Sequence, residues 1–154
     1  MLSLSTTTGY AIKALVCLAE NNGEPMLIKD ISLNAGVPAP YLAKITRRLA
    51  VAEIVNSKRG YKGGVQLRRS PADITVLDIG KAIDGEDVVG SCLLGKVFCA
   101  SLSSCPTHPF WEKTAPEIEC ELSRWTLSDM AAFSRQCSAD SAETAGGISE
   151  GAGI

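Results

Sequence analysis

The chain is short of several things, and each shortage narrows what it can be. Its 154 residues contain no run of about 18 apolar residues, which excludes a membrane-spanning helix of ordinary length. The first twenty residues, MLSLSTTTGYAIKALVCLAE, have no basic start, and Lys13 and Glu20 interrupt the apolar positions, so they do not read as a secretory signal. The expectation is a cytoplasmic protein. Aromatic residues are scarce, at 5%, and histidine occurs once, as His108. No Ser/His/Asp set, paired-carboxylate motif or cofactor fingerprint is legible, so no residue is assigned a catalytic role and the chain is not expected to be an enzyme. The glycines near position 60 lack Walker spacing and no helix opens after Gly64, which argues against a phosphate-cradling loop.

What is present changes meaning with the compartment. Six cysteines in a reducing environment point to free thiols, metal ligands or redox sensors before a disulfide framework. The net charge of −2 is unusual for a nucleic-acid binder, but the charge is unevenly spread. Residues 38–70 carry eight cations (Lys44, Arg47, Arg48, Lys58, Arg59, Lys62, Arg68, Arg69) against the single acid Glu53. Residues 71–154 carry five basic and thirteen acidic residues. A polyanion meets the local field of the basic stretch, not the average.

The pattern around that stretch gives it a shape. Ala11, Ala14, Leu15 and Leu18 recur at helical steps and predict a helix over residues 7–22. A short second helix covers 28–34 on Ile28 and Ile31, and Ala35-Gly36-Val37 turns the chain. A third helix opens at Pro38 or Pro40 and runs to about Ala52 on Leu42, Ile45 and Leu49, with Tyr41, Lys44, Arg47 and Arg48 on its other face. Helix, short helix, Gly-containing turn and a helix with a basic face make a helix-turn-helix. The β-prone residues 53–57 and 65–68 then flank a Gly-rich tip, predicting a hairpin placed as a wing, with Arg59 and Lys62 at its tip.

Thr75 and Asp78 have the spacing of a capping box for a helix on Val76, Ile79 and Ile83, stopped by Gly85. A loop covers 86–106. Helices are expected over about 109–123, on Phe110, Ile118 and Leu122, and from Thr126-x-x-Asp129 onward, on Leu127, Met130 and Phe133. Residues 138–154, rich in Ala and Gly, read as a disordered tail.

The loop holds Cys92-x6-Cys99-x5-Cys105-x2-His108. Thiolates are soft donors that select zinc, copper(I) or iron–sulfur clusters. Structural zinc usually uses C-x2–4-C pairs, absent here, and the wider gaps suit an iron–sulfur cluster. Zinc and metal-free thiols remain the alternatives. His108, two residues past Cys105, is the candidate fourth ligand. Cys17 reads as core, Cys120 as packed within its helix, and Cys137 as exposed.

Taken together, these residues resemble the IscR/NsrR-type winged helix-turn-helix regulators that often carry an iron–sulfur cluster. The resemblance covers residues 4–135. It rests on Leu4-Ser5 with Tyr10-Ala11-Ile12-Lys13-Ala14-Leu15, Val37-Pro38-Ala39-Pro40-Tyr41-Leu42, Ser57-Lys58-Arg59-Gly60 through Gly63-Gly64, Ile74-Thr75-Val76-Leu77-Asp78-Ile79, and the cysteine loop. Cys105-Pro106-Thr107-His108-Pro109-Phe110-Trp111 looks most like members in which three cysteines and this histidine hold a 2Fe–2S cluster, favoured here over 4Fe–4S. The resemblance implies a homodimer joined through a C-terminal helix, a near-palindromic double-stranded DNA operator, and DNA contacts from Ala39, Pro40, Tyr41, Lys44, Arg47, Arg48, Lys58, Arg59 and Lys62. It implies control of DNA binding by iron, redox state or nitric oxide.

Some relatives supply a carboxylate ligand from the partner's N-terminal region; here no Asp or Glu precedes Glu20, which favours His108. Thr6-Thr7-Thr8-Gly9 stands where basic residues are common, and Lys62 replaces a third wing glycine. The expected architecture is mainly α with a small β-hairpin. A winged helix-turn-helix domain (1–85) is followed by a cluster loop (86–108), a helical dimerisation region (109–137) and the tail. The competing readings are a zinc-structured or thiol-switch repressor on the same scaffold, and a small iron–sulfur electron-transfer or assembly protein.

Overall fold

The computed structural model describes residues 4–58, 63–90, 92–94 and 105–146, with side chains of the last helix as far as Cys137. Among these residues the chain forms α1 (Thr6–Glu20), α2 (Ile28–Ala35), α3 (Ala39–Val51), β1 (Val55–Lys58), β2 (Gly64–Leu67), a 3₁₀ turn (Pro71–Asp73), α4 (Val76–Asp84), α5 (His108–Arg124) and α6 (Leu127–Gly146).

Local chemistry sets most of the boundaries. Ser5 caps α1, its hydroxyl accepting from the Thr8 amide at 3.1 Å. Gly36 ends α2 in the left-handed region, at φ 61°, and so makes the turn between the two helices. Pro38 is the cap of α3 and Pro40 lies in its first turn, where the missing amide costs nothing. The capping box at α4 is complete: the Asp78 amide donates to Thr75 Oγ1 at 3.0 Å and the Thr75 amide to Asp78 Oδ2 at 3.1 Å. Thr126 and Asp129 repeat the arrangement at α6, with 3.2 and 2.8 Å.

The core is the set of apolar positions read from periodicity. Ala11, Leu15 and Leu18 of α1 pack with Ile31, Leu42, Ile45, Leu49, Ile79 and Ile83, all at most 3% exposed. The wing joins it through Val55 and Val65, and β1 pairs antiparallel with β2 in the register Val55 to Leu67 and Lys58 to Gly64. Met26 adds an isolated bridge to β2, exchanging hydrogen bonds of 2.9 and 2.8 Å with Val65. A Cβ on Gly64 would lie 2.7 Å from the Met26 carbonyl oxygen, so the close approach requires glycine there.

Two details differ from the sequence pattern. In α5 the buried aromatic is Trp111, at 5% exposure, while Phe110 is 59% exposed. In α6, Leu127 and Ala131 are buried against the N-terminal core, Phe133 is exposed, and the helix continues through Gly146. Ala139, Ala142, Glu143 and Ala145 are strong helix formers, which carries the helix into the segment read as a tail. Among the described residues no helix is long and apolar enough to cross a membrane.

Candidate nucleic-acid interface and cysteine loop

The second helix of the helix-turn-helix, α3, is anchored by Leu42, Ile45 and Leu49 on its inner side. That orientation turns Pro40, Lys44 and Arg47, spaced four and three residues apart, to solvent on one face. Ala39 and Tyr41 are exposed at the start of the helix, and the Tyr41 ring meets Tyr10 edge to face at a centroid distance of 5.8 Å. Lys58 is exposed at the end of β1. Arg59 and Lys62, expected at the wing tip, lie outside the described residues.

The basic stretch divides into two sets. Arg68 pairs with Glu53 at 2.9 Å, and Arg69 pairs with Asp78 at 3.5 Å while donating to the Asp73 carbonyl at 3.3 Å. The Arg48 guanidinium donates to the backbone carbonyl of Ile83, at the end of α4. These three cations have partners within the protomer, although Arg48 and Arg68 are themselves exposed. Lys44, Arg47 and Lys58 have no side-chain partner among the described residues, so the free positive charge lies on the outer face of α3 and on the first wing strand. Sequence reasoning treats Arg47 and Arg48 alike; only the position of α4, 35 residues away, separates them.

The cysteine loop leaves from this same end of α4. Val88 packs against Gly80, where a Cβ would come within 2.9 Å of its Cγ2. The Trp111 indole nitrogen donates to the Gly90 carbonyl at 2.9 Å, and this ties the segment before Cys92 to the first turn of α5. Cys92 and Cys105 are half-buried. The His108 amide donates to the Cys105 carbonyl at 3.2 Å, so the thiol and the imidazole sit across one turn at the start of α5. Cys105 Sγ lies 3.2 Å from Thr107 Oγ1, and His108 Nε2 lies 4.0 Å from Glu112 Oε2. Cys99 is outside the described residues, and no group of three or more candidate metal ligands is gathered among the described ones.

The remaining cysteines separate by environment. Cys17 is half-buried on α1, and burial, aided by the charge of Glu20, raises its thiol pKa, which makes it a poor nucleophile. Cys120 is exposed rather than packed within α5. Cys137 is exposed.

Comparison with known proteins agrees with this geometry. The sequence model of the Rrf2 family, described as an iron-dependent transcriptional regulator, matches residues 4–132. The protein rrf2 of Nitratidesulfovibrio vulgaris is 29% identical over 137 residues, spanning 88% of this chain and 91% of that protein. The solved structure of T. potens IscR superposes with a TM-score of 0.69 at 32% identity, covering 88% of this chain and 90% of the other. CymR, the global cysteine regulator of B. subtilis, superposes with a TM-score of 0.68 at 26% identity, covering 86% and 98%. A helix-turn-helix with a wing, free cations on the outer face of its second helix, and a family match over residues 4–132 lead to one conclusion: the chain belongs to the Rrf2 family of winged-helix transcriptional regulators.

Proposed function

We propose that this regulator works as a homodimer on a near-palindromic DNA operator and senses iron, redox state or nitric oxide through an iron–sulfur cluster, of 2Fe–2S type, on its cysteine loop. The observation that carries the sensing part is the Trp111–Gly90 hydrogen bond of 2.9 Å. It holds the two ends of the loop together, so ligands far apart in sequence start from neighbouring anchors. Cys92, Cys99 and Cys105 are the thiolate ligands and His108 the fourth. The donor set suits the group: soft sulfurs with wide spacing, and a histidine one turn from Cys105. When bound, the cluster supplies one-electron redox chemistry and bonds that a signal can break. The residues of the chain order or release the Gly/Ser-rich loop around it.

The DNA side is read from the free cations. The first turn of α3 (Ala39, Pro40, Tyr41) approaches base edges, with Lys44 and Arg47 in the same groove. Lys58, Arg59 and Lys62 of the wing reach the backbone or the minor groove. The dimer reading draws on α5, where only Trp111 is fully buried and the exposed Phe110 and nearby Trp125 leave apolar surface for a second copy. A protein confined to a regulator's work needs no membrane and is placed in the cytoplasm.

The test is DNA affinity of protein purified without oxygen, compared before and after removal of bound metal, on a duplex selected by the protein from a random pool. A change of about tenfold or more supports coupling between loop and DNA. Equal affinity in both states would leave a DNA-binding protein whose loop does not signal.

A further inference from the structure

The C-terminal end of α4 packs near the start of α1 and the last turn of α3, and beside the buried Ile83 side chain it makes polar contacts to both. Asp84, the last residue of α4, accepts from Ser5 Oγ at 2.5 Å, from Thr8 Oγ1 at 2.7 Å and from the Ser5 amide at 3.2 Å. Thr8 is completely buried, so its hydroxyl depends on this bond. The first turn of α1 contains no acidic residue of its own. Asp84 places a carboxylate there from another helix, where the α1 dipole favours it. One residue earlier, the Ile83 carbonyl belongs to the last turn of α4, whose carbonyls lack helical partners, and the Arg48 guanidinium satisfies it. Partial burial pushes the Asp84 carboxyl up, but the Ser5 and Thr8 donors and the nearby Arg48 charge outweigh this and hold it below the usual carboxylate value.

We infer that Arg48 is a positioning residue and not a DNA contact: with Asp84, Ser5 and Thr8 it fixes the pose of the recognition helix α3 against the end of α4, where the chain departs for the cysteine loop. This deepens the DNA-binding reading and rests on it. Arg47, its neighbour, points to solvent without a partner and serves the DNA; Arg48 serves the fold. The chain beyond Asp84 continues to Val88, seated against Gly80, and to Gly90, tied to Trp111.

The experiment measures affinity and its salt dependence for full-length wild type, Arg47→Ala, Arg48→Ala and Asp84→Asn. The probe is a duplex of about 30 bp, three helical turns, selected from a random pool by the wild type. Circular dichroism and thermal unfolding confirm that each variant is folded. Removing a residue that neutralises one phosphate lowers the slope of log K against log salt by about 0.9. Arg48→Ala is expected to lose roughly tenfold in affinity with the slope unchanged, whereas Arg47→Ala lowers the slope. Asp84→Asn supplies the second arm, since deleting a negative charge should strengthen binding to a polyanion if charge alone mattered. A weaker-binding Asp84→Asn with wild-type slope supports the positioning role even if Arg48→Ala does not fold. A lowered slope for Arg48→Ala, or tighter binding by Asp84→Asn, overturns it. An unchanged slope for Arg47→Ala would instead count against the assignment of the outer face of α3 to DNA, and the Arg48 result would still be read by its own slope.

Discussion

The indole of Trp111 and the carbonyl of Gly90, 2.9 Å apart, close the cysteine loop at its base. Trp111 is 5% exposed and Gly90 half-buried, so solvent can replace the bond only in part when the donor is lost. Trp111→Phe keeps most of the ring packing and deletes the donor. It should cost about 1 kcal/mol in urea denaturation, reflecting the loss of one part-buried hydrogen bond. It should also speed the loss of any bound metal to a chelator. A variant with wild-type stability would show that the tie contributes nothing.

The partition of the cations gives a second expectation. Lys44→Ala and Lys58→Ala should each flatten the salt dependence of DNA binding by about 0.9 for every phosphate that is no longer neutralised. Arg68→Ala should leave it nearly unchanged, because Arg68 is held by Glu53 at 2.9 Å. That pair is exposed, so its removal should also change stability little. Fluorescence anisotropy across a salt series separates the two groups.

How far the sequence reveals this follows from the range of each interaction. The capping boxes at Thr75–Asp78 and Thr126–Asp129 are legible because both partners lie three residues apart, and the core faces of α1, α3 and α4 because burial repeats with the helix. The helix-turn-helix and wing follow from those. Arg48 is not separable from Arg47, since nothing within the helix distinguishes two adjacent arginines; the distinction depends on where α4 ends. Phe110 stands out before Trp111 because the α5 pattern is weak: among its described side chains Trp111 alone is buried. The partners of Asp84 lie 76 and 79 residues away and share no local signal with it.

Two glycines should respond differently to the same change. Gly36→Ala meets no neighbouring atom but must hold φ at 61°, and the backbone strain should cost about 1 kcal/mol. Gly64→Ala meets the Met26 carbonyl oxygen at 2.7 Å, so the bridge between Met26 and Val65 must open. The second variant should be the less stable of the two and should lose DNA affinity through a displaced wing. Thermal unfolding with parallel binding measurements tests the order.

Acid should weaken the fold in a defined direction. The carboxyls of Asp84 and Asp129 both lie below the usual value, Asp129 through the hydroxyl and amide of Thr126. A depressed folded pKa gives stability that is fully present above the unfolded value of about 3.9 and is lost as pH falls through the folded one. Asp84→Asn should therefore be less stable than wild type at neutral pH and show a shallower loss down to about pH 3. Parallel acid limbs for the two proteins would show that Asp84 contributes nothing to the acid dependence.

The most direct test of the sensing claim is the visible absorption spectrum, with iron and acid-labile sulfide analysis, of protein purified without oxygen. An iron–sulfur cluster on the cysteine loop predicts a brown protein containing both elements, and a folded, colourless Cys105→Ala variant. A colourless wild-type protein carrying zinc, or no metal at all, would contradict it.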